Sequence, residues 1–124
     1  MSFQIRFDPS LRVVRAKFFG PVTLEDKLAS ARQVAEKYGH LHPLMLIVDV
    51  RDADILLSME ERKQFGQYAA HLQGLSHART AVLHAPHVNA NVVIDHWAQS
   101  EGMQLAEFVT EPAALSWLAE ESSV

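Results

Sequence analysis

Leu44-Met-Leu-Ile-Val-Asp-Val50 is the stretch that decides the fold. Its apolar residues run without the alternation of a half-wet strand, so they predict a central strand covered on both faces. Helical and strand patterns alternate on either side of it. Downstream, Ser58 and Glu61 form a capping-box signature for a helix that runs to about Leu72. Residues 80–83, Thr-Ala-Val-Leu, predict a short apolar strand. A helix from about Val88 to Ser100 follows, with Val93, Ile94, Trp97 and Ala98 turned inward, and Gly102 breaks it. Residues 105–109 form the last strand. Thr110 or Glu111 caps a final helix, with Pro112 in its first turn, where the missing N–H costs little. Ala114, Leu115 and Leu118 supply that helix with an apolar face.

Upstream, Phe3-Gln-Ile-Arg-Phe7 alternates strictly, as a half-buried strand should. Asp8-Pro9-Ser10 is turn chemistry. A second strand spans residues 11–19, so the two read as an antiparallel hairpin, ended by Gly20-Pro21. Thr23, with Asp26 three residues on, caps a helix whose apolar stripe is Leu24, Leu28, Ala31, Ala35 and Tyr38. Gly39 closes it. The order is ββαβαβαβα. It predicts an α/β fold: a mostly parallel sheet of about five strands, an antiparallel edge from the hairpin, and helices on both faces.

The 124 residues fit a single domain, 1–124. The chain has no cysteine, which excludes disulfides and zinc–thiolate sites and suits a reducing cytoplasm. No apolar run reaches the roughly 18 residues of a membrane span, and the start lacks a signal-peptide pattern. A cytoplasmic location is therefore expected. The formal net charge is −4 and the eleven Lys and Arg residues are scattered. Nucleic-acid binding needs a concentrated basic footprint, so no such partner is expected.

Several stretches together resemble the SpoIIAA-like (STAS-type) family. They are the opening hairpin, F-G-P-V-T-L-E-D at 19–26, L-I-V-D-V-R-D-A-D-I at 46–55, and E-F-V-T-E-P-A-A-L-S-W-L at 107–118. The resemblance covers nearly the whole chain and is carried by the order and spacing of these motifs. It implies a non-enzymatic protein-interaction or regulatory module with a protein partner. Antagonists of this fold bind a kinase, and phosphorylation of a serine at a helix N-terminus releases it. Relatives of CRAL-TRIO-like topology bind lipids, which gives the alternative of a small apolar-ligand or lipid-binding domain. The phosphoacceptor implied here is Ser58. Yet the antagonists carry a Ser-Ser-Gly-type segment before this helix, whereas residues 55–61 read I-L-L-S-M-E-E. Asp49, Asp52, Asp54, Glu60 and Glu61 crowd the same segment and offset what a phosphate would gain from the helix dipole. A plain N-cap role is the preferred reading of Ser58.

The candidate partner- or ligand-binding residues are Asp49, Asp52, Asp54, Ile55, Leu56, Leu57 and Ser58. Asp49 and Asp52 lie where ligands of open α/β sheets collect, at the carboxyl end of a central strand. Their plainer role is to hydrogen-bond the loop backbone. A receiver-type aspartyl phosphoacceptor is rejected, because neither Phe7-Asp8-Pro9 nor Val109-Thr110-Glu111 supplies its partners. Ile55-Leu56-Leu57 falls in an expected surface loop. It can line a cleft, form a partner patch, pair as a short extra strand or anchor the core, and core anchoring is preferred.

Seven histidines invite a metal, above all His84, His87 and His96 beside Asp95. Their elements do not guarantee convergence and no H-E-x-x-H spacing occurs, so neither metal nor cofactor is expected. Catalytic residues are likewise expected to be none: there is no G-x-S-x-G elbow and no phosphate-binding glycine pattern. A homodimer is compatible with the sequence, though nothing in it specifies one.

Overall fold

A computed structural model describes residues 2–120. Its elements follow the expected order: β1 (Phe3–Asp8), β2 (Val13–Val22), α1 (Leu24–Tyr38), β3 (Met45–Ile55), α2 (Met59–His71), β4 (Arg79–Leu83), α3 (Val92–Ser100), β5 (Gln104–Phe108) and α4 (Glu111–Ala119). The strands form one sheet in the order β1-β2-β3-β4-β5. β1 runs antiparallel to β2, and the other pairings are parallel. Asp8 builds the hairpin turn by accepting hydrogen bonds from Ser10 N at 3.0 Å and Ser10 Oγ at 2.7 Å.

The two cores explain why residues 44–50 do not alternate. On one face Val14, Ala16, Phe18, Leu46, Val50 and Val82 pack with α1, α2 and α3. On the other, Val13, Ile47, Ala81 and Leu83 meet Ala114 and Leu118 of α4. Successive residues of β3 and β4 point into different cores, so both faces must be apolar. Each fully buried Val or Leu contributes about 1.5–3 kcal/mol of transfer free energy. α4 packs over β4 and β5, which leaves the β1–β2 half of that face to charged side chains.

Three expectations are corrected. First, Gly20-Pro21 does not end β2. Gly20 takes φ +63°, and the register slips between Lys17 and Phe19. The bulge puts its extra residue on β3, between Asp49 and Asp52, and Gly20, in a conformation glycine adopts without strain, carries β2 on to Val22. Second, β3 does not give way to a loop after Val50. It continues beside the extended β2, pairing Phe19 with Asp52, Pro21 with Asp54 and Val22 with Ile55. Third, α3 begins at Val92 rather than Val88, because residues 84–91 form turns around an Ala85–Val88 bridge. Its buried residues are Ile94, Asp95 and Ala98, while Val93 and Trp97 are only half-buried.

The stripe of α1 is also rotated from the expected one. Lys27, Ser30, Ala31 and Val34 are buried, and Leu24, Leu28, Ala35 and Tyr38 flank them half-buried. The capping residues are as read: Thr23 with Asp26, Ser58 with Glu61, and Thr110 for α4. No helix among the described residues is long and apolar enough to cross a membrane.

Candidate functional site

Because β2 to β5 are parallel, the ends of all four strands and the starts of the helices after β3 and β4 share one edge of the molecule. Six exposed large apolar side chains stand there: Phe19, Leu56, Met59, Val88, Val92 and Val109. They belong to β2, to the connection after β3, to the start of α2, to the connection after β4, to the start of α3 and to the residue after β5. They thus form an interrupted row across the sheet. Leu56 is 55 % exposed and Met59 68 %, values that a segment packed only for stability does not require.

The segment singled out in the sequence divides between this rim and the core. Ile55 and Leu57 are buried, whereas Leu56 between them is exposed. Arg62 fixes the turn by donating from Nη2 to Ile55 O and from Nε to Leu57 O, both at 3.0 Å. Leu56 N donates to Val22 O at 2.8 Å. Asp52 and Asp54 are exposed on the last part of β3, and Asp52 lies 3.7 Å from Lys17 Nζ. The β3–β4 ladder stops at Asp49–Leu83, so residues 50–55 project past β4 with only β2 beside them.

Asp49 is turned back on its own chain. Its carboxylate accepts from Arg51 N and Nε at 3.1 Å and from Arg51 Nη2 at 2.8 Å. Burial raises its pKa, but the Arg51 hydrogen bonds and charge outweigh burial and hold the carboxyl below the usual range. The open face beside it, lined by Gln4, Arg6, Arg15, Lys17, Ile47 and Asp49, has most of its charges paired. Arg15 meets Glu111 and Asp8, Lys17 meets Asp52, and Arg51 meets Asp49.

Ser58 is engaged as a helix cap. Its Oγ accepts from Glu61 N at 3.1 Å, and Ser58 N donates to Glu61 Oε1 at 2.8 Å. Ser58→Ala is expected to cost about 1 kcal/mol of stability, and Ser58→Asp, itself a good N-cap, only a few tenths. Urea titrations of the two variants against the parent check this. A Ser58→Ala variant as stable as the parent would mean that the cap contributes nothing.

A second constellation went unread in the sequence. Lys27 of α1 and Asp95 of α3 are each 1 % exposed. Lys27 Nζ donates to Asn91 Oδ1 at 2.8 Å, and Asn91 Nδ2 donates to Asp95 Oδ1 at 2.6 Å. Asn91 thereby joins the two charged residues, and its side chain makes no capping hydrogen bond at the start of α3. Asn89 continues the chain by donating to Asp95 Oδ2 at 3.4 Å and to Glu107. Lys27 Nζ also stands 4.0 Å from the centre of the Phe18 ring, a cation–π distance. Burial pulls the amine down to about 7, against the opposing pull of Asp95. Burial, then Glu107, pushes Asp95 up to about 8, against Asn91 and Lys27.

Lys27, Asn91 and Asp95 line a cavity of about 60 Å³ between the sheet and α1, α2 and α3, otherwise walled mainly by Phe18, Phe65, Val82 and Ile94. Thr80 lines it too, and its Oγ1, among the described residues, has no hydrogen-bond partner. Lysine in α1 reads from sequence as a wet position between Asp26 and Leu28. The only available signal was its place one residue off an apolar stripe.

The histidines do not gather into one cluster, although the rings of His42 and His77 stack at 4.4 Å. His71 Nε2 lies 2.8 Å from Glu101 Oε1, His77 Nε2 lies 3.0 Å from Gly39 O and His84 Nδ1 lies 2.8 Å from Ala85 O. Among the described residues no three His, Asp or Glu side chains are grouped as a metal ion would require.

No protein-family model matches the chain, and no curated protein does. Among solved structures it is similar to an uncharacterised protein of the DUF3478 family with a SpoIIAA-like fold, from Shewanella loihica PV-4. The identity is 15 %, the likeness covers 94 % of this chain and 92 % of that one, and the TM-score is 0.60. The chain therefore has a SpoIIAA-like fold, as its motif order implied.

Proposed function

We propose that this chain is a non-enzymatic interaction module that receives a protein partner on the carboxyl-end rim of its sheet. The observation that carries this reading is the row of exposed apolar side chains on that one edge, centred on Leu56, Met59 and Val92. Exposed apolar groups gathered on one edge mark a docking surface better than the same groups scattered singly. Asp52, Asp54 and Glu60 are exposed beside the row, so the partner that fits presents apolar side chains flanked by Lys or Arg. Ser58 lies within this surface, where a charge change at the α2 cap would be felt by the partner.

A lipid-binding reading draws less support. The cavity lies where that reading needs one, between α3 and the sheet, but its 60 Å³ is far below the roughly 300 Å³ of the smallest usual ligand pockets.

The test is a surface variant, Leu56→Glu/Met59→Glu/Val92→Glu. A stoichiometric partner recovered from the host by the parent chain is expected to be lost with the variant, at least about 100-fold in Kd for a lost apolar centre. The melting temperature should stay within a few degrees. Recovery of the same partner by both chains, or of none by the parent, overturns the reading.

A further inference from the structure

The sheet ends in two edge strands, and they are built differently. β5 is guarded. Gln99 Nε2 donates to Leu105 O at 2.8 Å, and exposed Glu107 sets a charge in mid-strand, devices that discourage a further strand. β1 pairs with β2 in unbroken register and contains no Gly, Pro or Lys. Phe19 N donates to Ser2 O at 3.0 Å, and Phe3 stands opposite Phe18. Bonded and open positions alternate along an antiparallel ladder. Gln4, Arg6 and Asp8 therefore bond to β2, while the N–H and C=O groups of Phe3, Ile5 and Phe7 turn outward. Among the described residues no other backbone group bonds them.

We propose that two copies of this chain join along β1, as an antiparallel pair about a twofold axis through Ile5. Phe3-Gln4-Ile5-Arg6-Phe7 is its own complement in that register. Phe3 pairs with the partner's Phe7, Ile5 with the partner's Ile5 and Phe7 with the partner's Phe3. Each pair exchanges two hydrogen bonds, so every outward group of the three residues is used. Their side chains share the face that packs under α1. Phe3 belongs to that core and Ile5 packs against it, while Phe7 is 37 % exposed and stacks on Tyr38 at 5.7 Å. Aromatic and branched side chains set opposite one another favour pairing.

The reverse face selects the register. There Gln4 meets the partner's Arg6. Arg6 makes no ion pair among the described residues and already lies opposite Arg15 of β2, so an amide oxygen is the favourable neighbour on its other side. A slip of two residues toward the hairpin turn sets Arg6 directly against the partner's Arg6, and like charges so placed oppose pairing. A slip of two the other way carries Phe7 past the partner's Ser2. A slip of one turns the apolar face of one copy against the polar face of the other. The rim lies at the strand ends, so this edge is independent of it and leaves it open to another partner.

The edge is short, so the pair should be a weak one, with a Kd of about 10–100 µM read by sedimentation equilibrium of the full chain up to about 1 mM. The chain has no cysteine, so single thiols report the register. Cα atoms of a hydrogen-bonded antiparallel pair stand about 5.5 Å apart, within the span of a disulfide. Ile5→Cys is expected to oxidise to a covalent dimer at least about 10-fold faster than Gln4→Cys or Arg6→Cys, whose thiols are diagonal, about 7–8 Å apart. Ile5→Pro removes an outward N–H and leaves the β1–β2 ladder its bonds, so it should sediment as a monomer. If Ile5→Pro does not fold, the parent's sedimentation and the thiol rates decide alone. A parent that is monomeric at every concentration, a folded Ile5→Pro that still dimerises, or equal oxidation of the three thiol variants overturns the proposal and leaves the rim reading untouched.

Discussion

Gly66→Ala is expected to destabilise the protein by about 2–3 kcal/mol, although alanine is the better helix former by about 1 kcal/mol. Gly66 lies in the third turn of α2, where α3 crosses it. A Cβ there would stand 2.6 Å from Ile94 O, 2.8 Å from Trp97 Cβ and 3.1 Å from Ala98 N. Two of these three atoms are backbone, and Trp97 Cβ is the rigid base of its side chain. The helices must therefore separate, and overpacking of this kind costs about 1–3 kcal/mol in well-packed cores. Separation also reaches the cavity, since Phe65, Ile94 and Ala98 line it. Gly66→Val should cost more, as a branched side chain adds two methyl groups at the same contact. Urea unfolding of the parent, Gly66→Ala and Gly66→Val gives the comparison. If Gly66→Ala equals or exceeds the parent, the helices are not held by this contact.

The helix–helix contact was hidden in the sequence, and so was much of the site, for one physical reason. The strands and caps were legible because their causes are local. Period-two alternation in residues 3–7, the two-faced run 44–50 and the Ser58–Glu61 box each specify structure within a few residues. The strand extension 51–55 was not legible, because it depends on a bulge in β3 and on Gly20 carrying β2 far enough to pair with it. A glycine before a proline reads as a stop until its partner strand is known. The rim was half legible. Asp52, Asp54 and Leu56 were named, but Phe19, Val88 and Val109 join them only through parallel topology. Lys27 was not legible at all. A lysine is almost never fully buried unless it is paired, and its partners lie 64 and more residues away in the chain. Nothing within a helical turn of Lys27 announces Asn91, and the position of Asp95 one residue before His96 drew attention to metal chemistry instead.

The buried pair makes the pH dependence of stability the sharpest test of that hidden centre. Lys27 has its folded pKa lowered to about 7 from 10.5. Across that range the unfolded chain holds a proton that the folded chain lacks, so this group makes stability rise as pH rises from about 7 to 10.5. Asp95 has its folded pKa raised to about 8 from 3.8. Between those values the folded chain holds the extra proton, so this group makes stability fall as pH rises from about 4 to 8. The two slopes oppose each other between 7 and 8. The pair therefore contributes a trough of stability near pH 7–8, shallower on both sides by about 2–3 kcal/mol. Lys27→Met/Asp95→Leu replaces both groups with apolar side chains of similar length, and such exchanges of buried pairs are often neutral or stabilising by about 1–4 kcal/mol. Urea unfolding of parent and double variant at pH about 5.5, 7.5 and 9.5 isolates the pair, because groups untouched by the substitutions cancel in the difference. The variant's advantage should be largest at the middle pH and smaller at both ends. A difference that is flat across the three pH values would mean that Lys27 and Asp95 titrate alike in the folded and unfolded chains.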